Sequence, residues 1–524
     1  MIKQQKKSQI SENITNNKRI AKNTVYLYIR MFLIMGITLY TSRIVLEVLG
    51  VEDYGIYNIV GGTVSILAFF TSSLSNATQR FLSFELGENN FIGAQKIFNQ
   101  SCCLYFIIAI LLVIACETIG LWFLKNKLVI PIERQEAAFW VFQCTVGSMV
   151  VAIFQVPFIS IIIARERMSI YAYLGIFDVT ARLCITLVIR YTTYDELILY
   201  AAMMFLIHLL TTSSYAIYCF KKFTECKIRY VFDKDLIKKL LYFITYNLFG
   251  CFSYSIGVQG INVILNLFFG LAVNAARGIA VQGNSALIQF TNNILTAIKP
   301  QIIKSYATGN KQYMMLLLEY STKYSFLFML LIGYPILFST NFLLTTWLGK
   351  VPHYTNIFIQ LLIIESLFVT LFNPLWIIAN ATGNIKHIQV YGRLFTLAVL
   401  PISYILLKCH VISSPVPIFM ISVLMQIGYW LYSLYDIHRQ ISLNIIFYFK
   451  QIVFPIFSIG IIVACIILLW EPFLAEGWIK FIILSVASSS LLLLLTYSLA
   501  LKHTERLLLK NYISKLCCKN KHHL

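Results

Sequence analysis

Fourteen apolar segments of bilayer-spanning length, joined by short polar connections, leave this chain few folds to adopt. They lie near 24–48, 56–84, 98–124, 136–163, 169–190, 196–220, 240–269, 276–303, 317–348, 355–380, 387–407, 416–436, 446–470 and 479–501. A backbone in lipid must satisfy its N–H and C=O groups within its own segment, so runs of this length are read as helices. A soluble chain of 524 residues would divide into several domains, but 59% hydrophobic and 12% charged residues is not a composition suited to water. The expected fold class is an all-α polytopic membrane protein with about fourteen transmembrane helices.

The formal net charge of +20 would raise nucleic acid as a partner for a soluble chain. Here topology accounts for most of it. With the N-terminus cytoplasmic, most of the 42 Lys and Arg fall in cytoplasmic tails, loops and helix ends, and only Arg30, Arg43, Arg182, Lys323 and Arg393 lie within spans. That asymmetry predicts both termini on the cytoplasmic side and no nucleic-acid partner. The first apolar segment is too long for a signal-peptide core and no small-residue cleavage site follows it, so it is expected to stay in the mature chain. External loops are short and leave no room for an extracytoplasmic domain.

Within the array, the stretch from Leu46 to Asn90 returns as Asn266 to Asn310. One constant offset aligns Gly50 with Gly270, Ile59 with Ile279, Ser65 with Ser285, Leu67 with Leu287, Phe70 with Phe290, Thr71 with Thr291, Ala77 with Ala297 and Asn90 with Asn310. Each copy carries a polar run at the same place. The first reads Thr71-Ser72-Ser73 through Asn76, Thr78 and Gln79 to Arg80, the second Thr291-Asn292-Asn293 through Thr296 to Lys299. A helix in lipid has no reason to carry such groups unless they face protein or water. Duplicated halves with polar faces at matching places point to a transporter. The expected division is a basic tail over 1–22, a six-helix bundle over 23–220, a basic cytoplasmic linker over 221–239, a second six-helix bundle over 240–440, two additional spans within 441–501 and a basic tail over 502–524. Six spans per half is an even number, so the copies keep one orientation and are related by an axis along the membrane normal.

Several stretches carry a family likeness: Ala21-Lys22-Asn23-Thr24, Tyr40-Thr41-Ser42-Arg43, Leu49 through Asn58, Ala77-Thr78-Gln79-Arg80-Phe81, Asn262 to Phe269, Asn274-Ala275-Ala276-Arg277-Gly278-Ile279-Ala280 and Lys299-Pro300-Gln301-Ile302. Over most of residues 20–440 the chain resembles the Wzx-type polysaccharide flippases of the multidrug/oligosaccharidyl-lipid/polysaccharide (MOP) exporter superfamily. The resemblance implies a fold like that of the multidrug and toxin extrusion (MATE) proteins, with two pseudo-symmetric six-helix bundles about a central cavity, plus two extra C-terminal helices. It implies movement of a polyprenyl-pyrophosphate-linked oligosaccharide from the cytoplasmic to the periplasmic leaflet of a bacterial inner membrane by alternating access, for surface polysaccharide. The partners implied are that lipid-linked oligosaccharide, membrane lipids, and glycosyltransferases and a polymerase of the same pathway. By analogy with lipid II flippases, the last two helices offer a groove for the polyprenyl tail.

Such a substrate has a dianionic head, a polar glycan and an apolar tail. Arg suits the head because its planar fork stays charged and bonds phosphate bidentately. An Arg within a span costs about 2.5–3.5 kcal/mol on insertion scales, which calls for a role or a partner. The head-group and cavity candidates are Arg30, Arg80, Arg182, Arg277 and Arg393, joined by Asn76, Gln79, Thr291 and Asn292 of the polar runs. Blander readings stand beside them: Arg30 as a snorkelling side chain, Arg80 and Arg277 as boundary charges, and Arg393 as a cytoplasmic-side anchor. Arg43 lies about 220° around the helix from Arg30 and is read as a periplasmic-end anchor. Asp178 and Arg182 share one helical face. They either neutralise each other, or Asp178 takes up an ion and releases Arg182 to the substrate. Glu365 has no helical partner at three or four residues and is the second ion-coupling candidate. Glu117 and His208 are read as paired or cavity-lining. No cofactor or metal is expected, and proton or sodium coupling stands beside the membrane potential alone as the drive. Pro157, Pro335, Pro374, Pro401 and Pro455 mark kinks within spans.

Enzyme readings find little support. No GxxxxGK[ST] is present. Asp233-Lys234-Asp235 fits the acidic pattern of glycosyltransferases, but in a charged loop without a nucleotide-binding domain it is read as chance. Glycan polymerases and ligases carry a large periplasmic loop, for which this chain has no room. The twelve cysteines fall mostly in apolar spans without CxxC spacing and are read as small buried hydrophobes, with lipidation of Cys517-Cys518 as the minor alternative. Two other functions remain open. One is a multidrug and toxin extruder exporting organic cations, whose cavity is expected to be acidic and aromatic. The other is a non-transporting scaffold that holds glycosyltransferases at the membrane.

Overall fold

Most apolar runs become single helices, many of them ending at glycines, Asx caps or short polar turns, whereas the run over 317–348 divides at Ser339 into a long helix and a short one, Thr340–Leu348. The computed structural model describes residues 2–501 and 506, except 66, 127–129, 193, 228 and 230–232. The tail beyond 501, with Cys517-Cys518, lies outside the described residues apart from Arg506. The helices are α1 (Thr15–Gly50), α2 (Ala68–Gly87), α3 (Phe91–Asn126), α4 (Ile132–Ala164), α5 (Met168–Ile189), α6 (Glu196–Lys222), α7 (Lys234–Phe269), α8 (Leu271–Ala307), α9 (Lys311–Phe338), α10 (Thr355–Thr382), α11 (Ile388–Lys408), α12 (Val416–Ile441), α13 (Ile445–Phe473) and α14 (Trp478–Ala500). Helical backbone extends α1 toward the N-terminus as far as Ile2, and a further helical stretch covers residues 51–65 after Gly50. Among the described residues, twelve helices are long and apolar enough to cross a membrane. The other two, α2 and α8, carry the polar runs. The chain is a multi-pass membrane protein, nearly all helical among the described residues.

The repeat is visible in the backbone. Gly50 and Gly270, aligned in sequence, both adopt left-handed angles, with φ of 71° and 79°. At the far end of each copy, Asn89 and Gly309 are left-handed as well. The next residue then caps the following helix: the Asn90 side chain accepts from the Gly93 N–H at 3.0 Å, and Asn310 accepts from the Tyr313 N–H at 3.1 Å. A Cβ added at Gly50 or Gly270 would meet nothing within 4 Å, so the demand for glycine there is conformational and not steric. Gly50→Ala and Gly270→Ala are each expected to cost about 1–2 kcal/mol from the left-handed backbone alone, with asparagine tolerated better, as a thermal melt in detergent would read.

The described residues form two compact units. The first holds 1–253 together with 296–314 and 377–390. In it α1 packs on α5, α2 on α4, and α4 on α6. One core gathers Val60, Val141, Phe142, Leu197 and Ile207, and a second gathers Leu82, Phe98, Ile161 and Cys219. Asp233 accepts from the Leu236 N–H at 3.1 Å, which makes the first aspartate of the Asp-Lys-Asp sequence a helix cap for α7.

The second unit holds 254–295, 315–376 and 391–524. Its core joins Ile264, Ala276, Ala280, Phe358 and Ile418. The last two helices dock on α9: the Tyr334 hydroxyl donates to the Gly460 carbonyl at 2.6 Å, Phe326 lies 5.0 Å from Phe457, and Lys323 donates to the Ala500 carbonyl at 3.2 Å. Lys323 also pairs with Glu319 at 2.6 Å, and both are buried. This intramembrane cation is spent on internal neutralisation and on tying down α14. Pro157, Pro335, Pro374 and Pro401 sit inside helices, and Pro455 follows a π-helical turn at 449–453.

Candidate functional site

In the second unit, side chains from α7, α8, α10, α11 and α12 enclose a cavity of about 360 Å³. Its charged lining is Arg277, Glu365 and Arg393. Arg277 is buried near the start of α8. One of its terminal nitrogens donates to the Asn262 amide oxygen and the other to the Val258 carbonyl at 3.0 Å, while its Nε has no hydrogen-bond partner. Two contacts back to α7 thus fix the guanidinium and leave the buried Nε–H unspent. Arg393 places its guanidinium over the rings of Tyr254 at 5.5 Å and Tyr429 at 5.1 Å, again with an Nε lacking a partner. Asn292 of the second polar run lines the same space, as do Asn284, Ser366 and Gln426. Ser366 donates to Asn284 at 3.0 Å. Two cations against one carboxylate, with amides, hydroxyls and aromatic faces around them, make a site able to hold an anion and a sugar together.

The first unit has a cavity of about 410 Å³ lined by Thr71, Ser72, Ser75, Asn76 and Gln155, together with Tyr171 and apolar side chains of α4. The Arg30 guanidinium stacks on Tyr171 at 4.3 Å and keeps a buried Nε without a partner. Asn76 accepts from Lys299 at 2.7 Å, so the two polar runs meet within this unit. Gln79 is buried with its Nε2 lacking a partner. Thr291 is also buried, and its hydroxyl donates to the Ile288 carbonyl of its own helix.

Arg80 stands elsewhere. Its Nε donates to the Asn380 carbonyl at 3.1 Å and Nη2 to the Ala381 carbonyl at 3.4 Å, so the charge sits on the last turn of α10 while the ring faces of Phe81 and Phe84 flank it. Asp178 and Arg182 form their pair at 2.9 Å, and Thr211 adds a hydrogen bond to Asp178 at 3.2 Å. Glu117 accepts from Gln143 at 3.2 Å. If the Asp178–Arg182 pair does no more than neutralise itself, Asp178→Leu alone is expected to cost about 1–3 kcal/mol, and adding Arg182→Leu should recover most of that loss in the same thermal melt.

The sequence holds no signal for Tyr254, Tyr429, Asn284 or Ser366, because an uncharged residue in a span reads as packing. Nor does it mark Glu166, whose buried carboxylate takes Arg19, Lys304 and Gln301.

No protein-family description matches the chain, and no curated protein matches it. Solved structures do. A multidrug-resistance MATE family transporter of the MOP superfamily in an outward-facing conformation superposes with TM-score 0.70 at 16% identity, covering 81% of this chain and 96% of that one. A MOP superfamily transporter from Pyrococcus furiosus, described as having a binding pocket of reverse polarity that suggests a different function, gives 0.70 at 14% identity with the same coverage. A MATE protein in a straight conformation gives 0.69 at 16% identity, covering 82% of this chain and 97% of that one. The chain therefore has the MATE fold.

Proposed function

We propose that this protein is a membrane transporter that flips a polyprenyl-pyrophosphate-linked oligosaccharide from the cytoplasmic to the periplasmic leaflet of a bacterial inner membrane, with both termini cytoplasmic, for surface polysaccharide. The observation that carries the reading is the charge balance of the second unit's cavity, where Arg277 and Arg393 face Glu365 alone. A pyrophosphate gains from two guanidinium groups, whereas an organic cation is repelled by them. The glycan finds donors and acceptors in Asn284, Asn292, Ser366 and Gln426, and ring faces in Tyr254 and Tyr429. The Pyrococcus protein offers a parallel, since its pocket of reversed polarity was taken to point to a different function on the same fold. In this reading Glu365, which lines the cavity, couples the cycle to a proton or sodium ion, and glycosyltransferases and a polymerase of the pathway act before and after the flip.

The second reading is export of organic cations. The MATE neighbours favour it, as does the one carboxylate in the cavity. Complementation separates the two. In a bacterial strain lacking its own polysaccharide flippase and making a matching glycan, the wild-type chain should restore surface polysaccharide and deplete the cytoplasm-facing lipid-linked precursor. Restored resistance to organic cations with no change in glycan would replace this reading with the second.

A further inference from the structure

We propose that the first unit holds a separate anion site, a pocket at the end of α1 that takes a phosphate or pyrophosphate group. It is independent of the cavity assigned above and of what crosses the membrane. The pocket, about 530 Å³, is bounded by the N-terminal part of α1, the turn between α4 and α5, and the end of α6. It gathers five cations, Arg19, Lys22, Arg165, Arg167 and Lys222, and two carboxylates, Glu166 and Glu225.

Both carboxylates are already engaged. Glu166 is held by Arg19 at 2.7 Å and by Lys304 at 2.5 Å from outside the pocket, and Glu225 is held by Arg165. Lys22, Arg167 and Lys222 are left in excess, and among the described residues none of the three is in an ion pair. A solvated basic patch would account for those three alone, since all are exposed. Asn23 argues otherwise. It is 5% exposed, lines the pocket, and its amide nitrogen is buried with no hydrogen-bond partner. A buried amide donor left empty is costly, and an oxyanion placed among the three cations supplies the acceptor it lacks. The ligand class is thus a compact, multiply charged oxyanion with several acceptor oxygens, as phosphates have, either free or on a lipid head group.

Lysine reactivity reads the site directly. The full-length protein in phosphatidylcholine nanodiscs is treated with an acetylating reagent with and without sodium pyrophosphate, and labelling is followed at each lysine by mass spectrometry. Pyrophosphate is expected to slow labelling of Lys22 and Lys222 at least fivefold and to leave Lys350, an exposed lysine outside the pocket, unchanged. Asn23→Leu and, independently, the surface change Arg167→Gln should each abolish that protection while the protein still elutes as a folded species. Replacing phosphatidylcholine by phosphatidylglycerol names the source. Protection of both lysines without added pyrophosphate supports an anionic lipid head group, and protection only with pyrophosphate supports a pyrophosphate ligand. Labelling unaffected by either anion, or protection that persists in both variants, overturns the proposal.

Discussion

Glu166→Ala is expected to destabilise the protein by about 3 kcal/mol, the low end for removing one partner of a buried ion pair. The Glu166 side chain is fully enclosed and accepts from Arg19 at 2.7 Å, Lys304 at 2.5 Å and Gln301 at 2.7 Å. It ties the start of α1 and the end of α8 to the turn after α4. Without it, the ammonium of Lys304 and the amide of Gln301 remain largely desolvated and lose their acceptor. The backbone adds a second signature. Glu166 has φ of 58°, a left-handed conformation that costs a non-glycine residue about 1–2 kcal/mol. Glu166→Gly removes the same carboxylate but relieves that strain, so its melting temperature should fall less than that of Glu166→Ala. Equal melting for the wild type and both variants would mean that the cluster holds nothing together.

The second large effect concerns the cavity. Arg277→Ala is expected to lower transport of the lipid-linked glycan by about 30- to 150-fold at matched membrane expression, the equivalent of losing charge-assisted hydrogen bonds worth about 2–3 kcal/mol. Arg277 is held in place by Asn262 and the Val258 carbonyl, so its buried free Nε is presented without rearrangement. Its loss leaves Arg393 as the sole cation against Glu365 in that lining. Arg277→Lys keeps the charge but not the planar fork and should recover only part of the rate. A variant that transports the glycan at the wild-type rate would move the head group away from this cavity.

Much of the fold can be read from local pattern. The fourteen helices follow from hydropathy and length, and the Gly50–Gly270 and Asn90–Asn310 correspondences reappear as matched left-handed glycines and matched helix caps. Hydropathy marks α2 and α8 less strongly than the other twelve, and the repeated polar run adds a second signal for them. Pairing is legible where it is helical, as in Asp178 with Arg182, because side chains four apart share a face. It is illegible between distant elements. Nothing local tells Arg80 that it will cap α10, Lys299 that it will reach Asn76, or Glu166 that it will collect Arg19 and Lys304. Among the candidates, Arg277, Glu365, Arg393 and Asn292 share one cavity, whereas Asn76 lines another, where Arg30 stacks on the lining Tyr171. Which span faces which is set by tertiary packing, and a single sequence does not encode it in any spacing.

The most direct measurement is translocation by the purified protein in proteoliposomes, with a polyprenyl-pyrophosphate-linked oligosaccharide in one preparation and an organic cation in a parallel one. Transfer of the glycan between leaflets that depends on the protein and collapses with Arg277→Ala, without movement of the cation, is the expected result. Cation movement that persists in the Arg277→Ala variant, with the lipid-linked glycan left in its original leaflet, would contradict it.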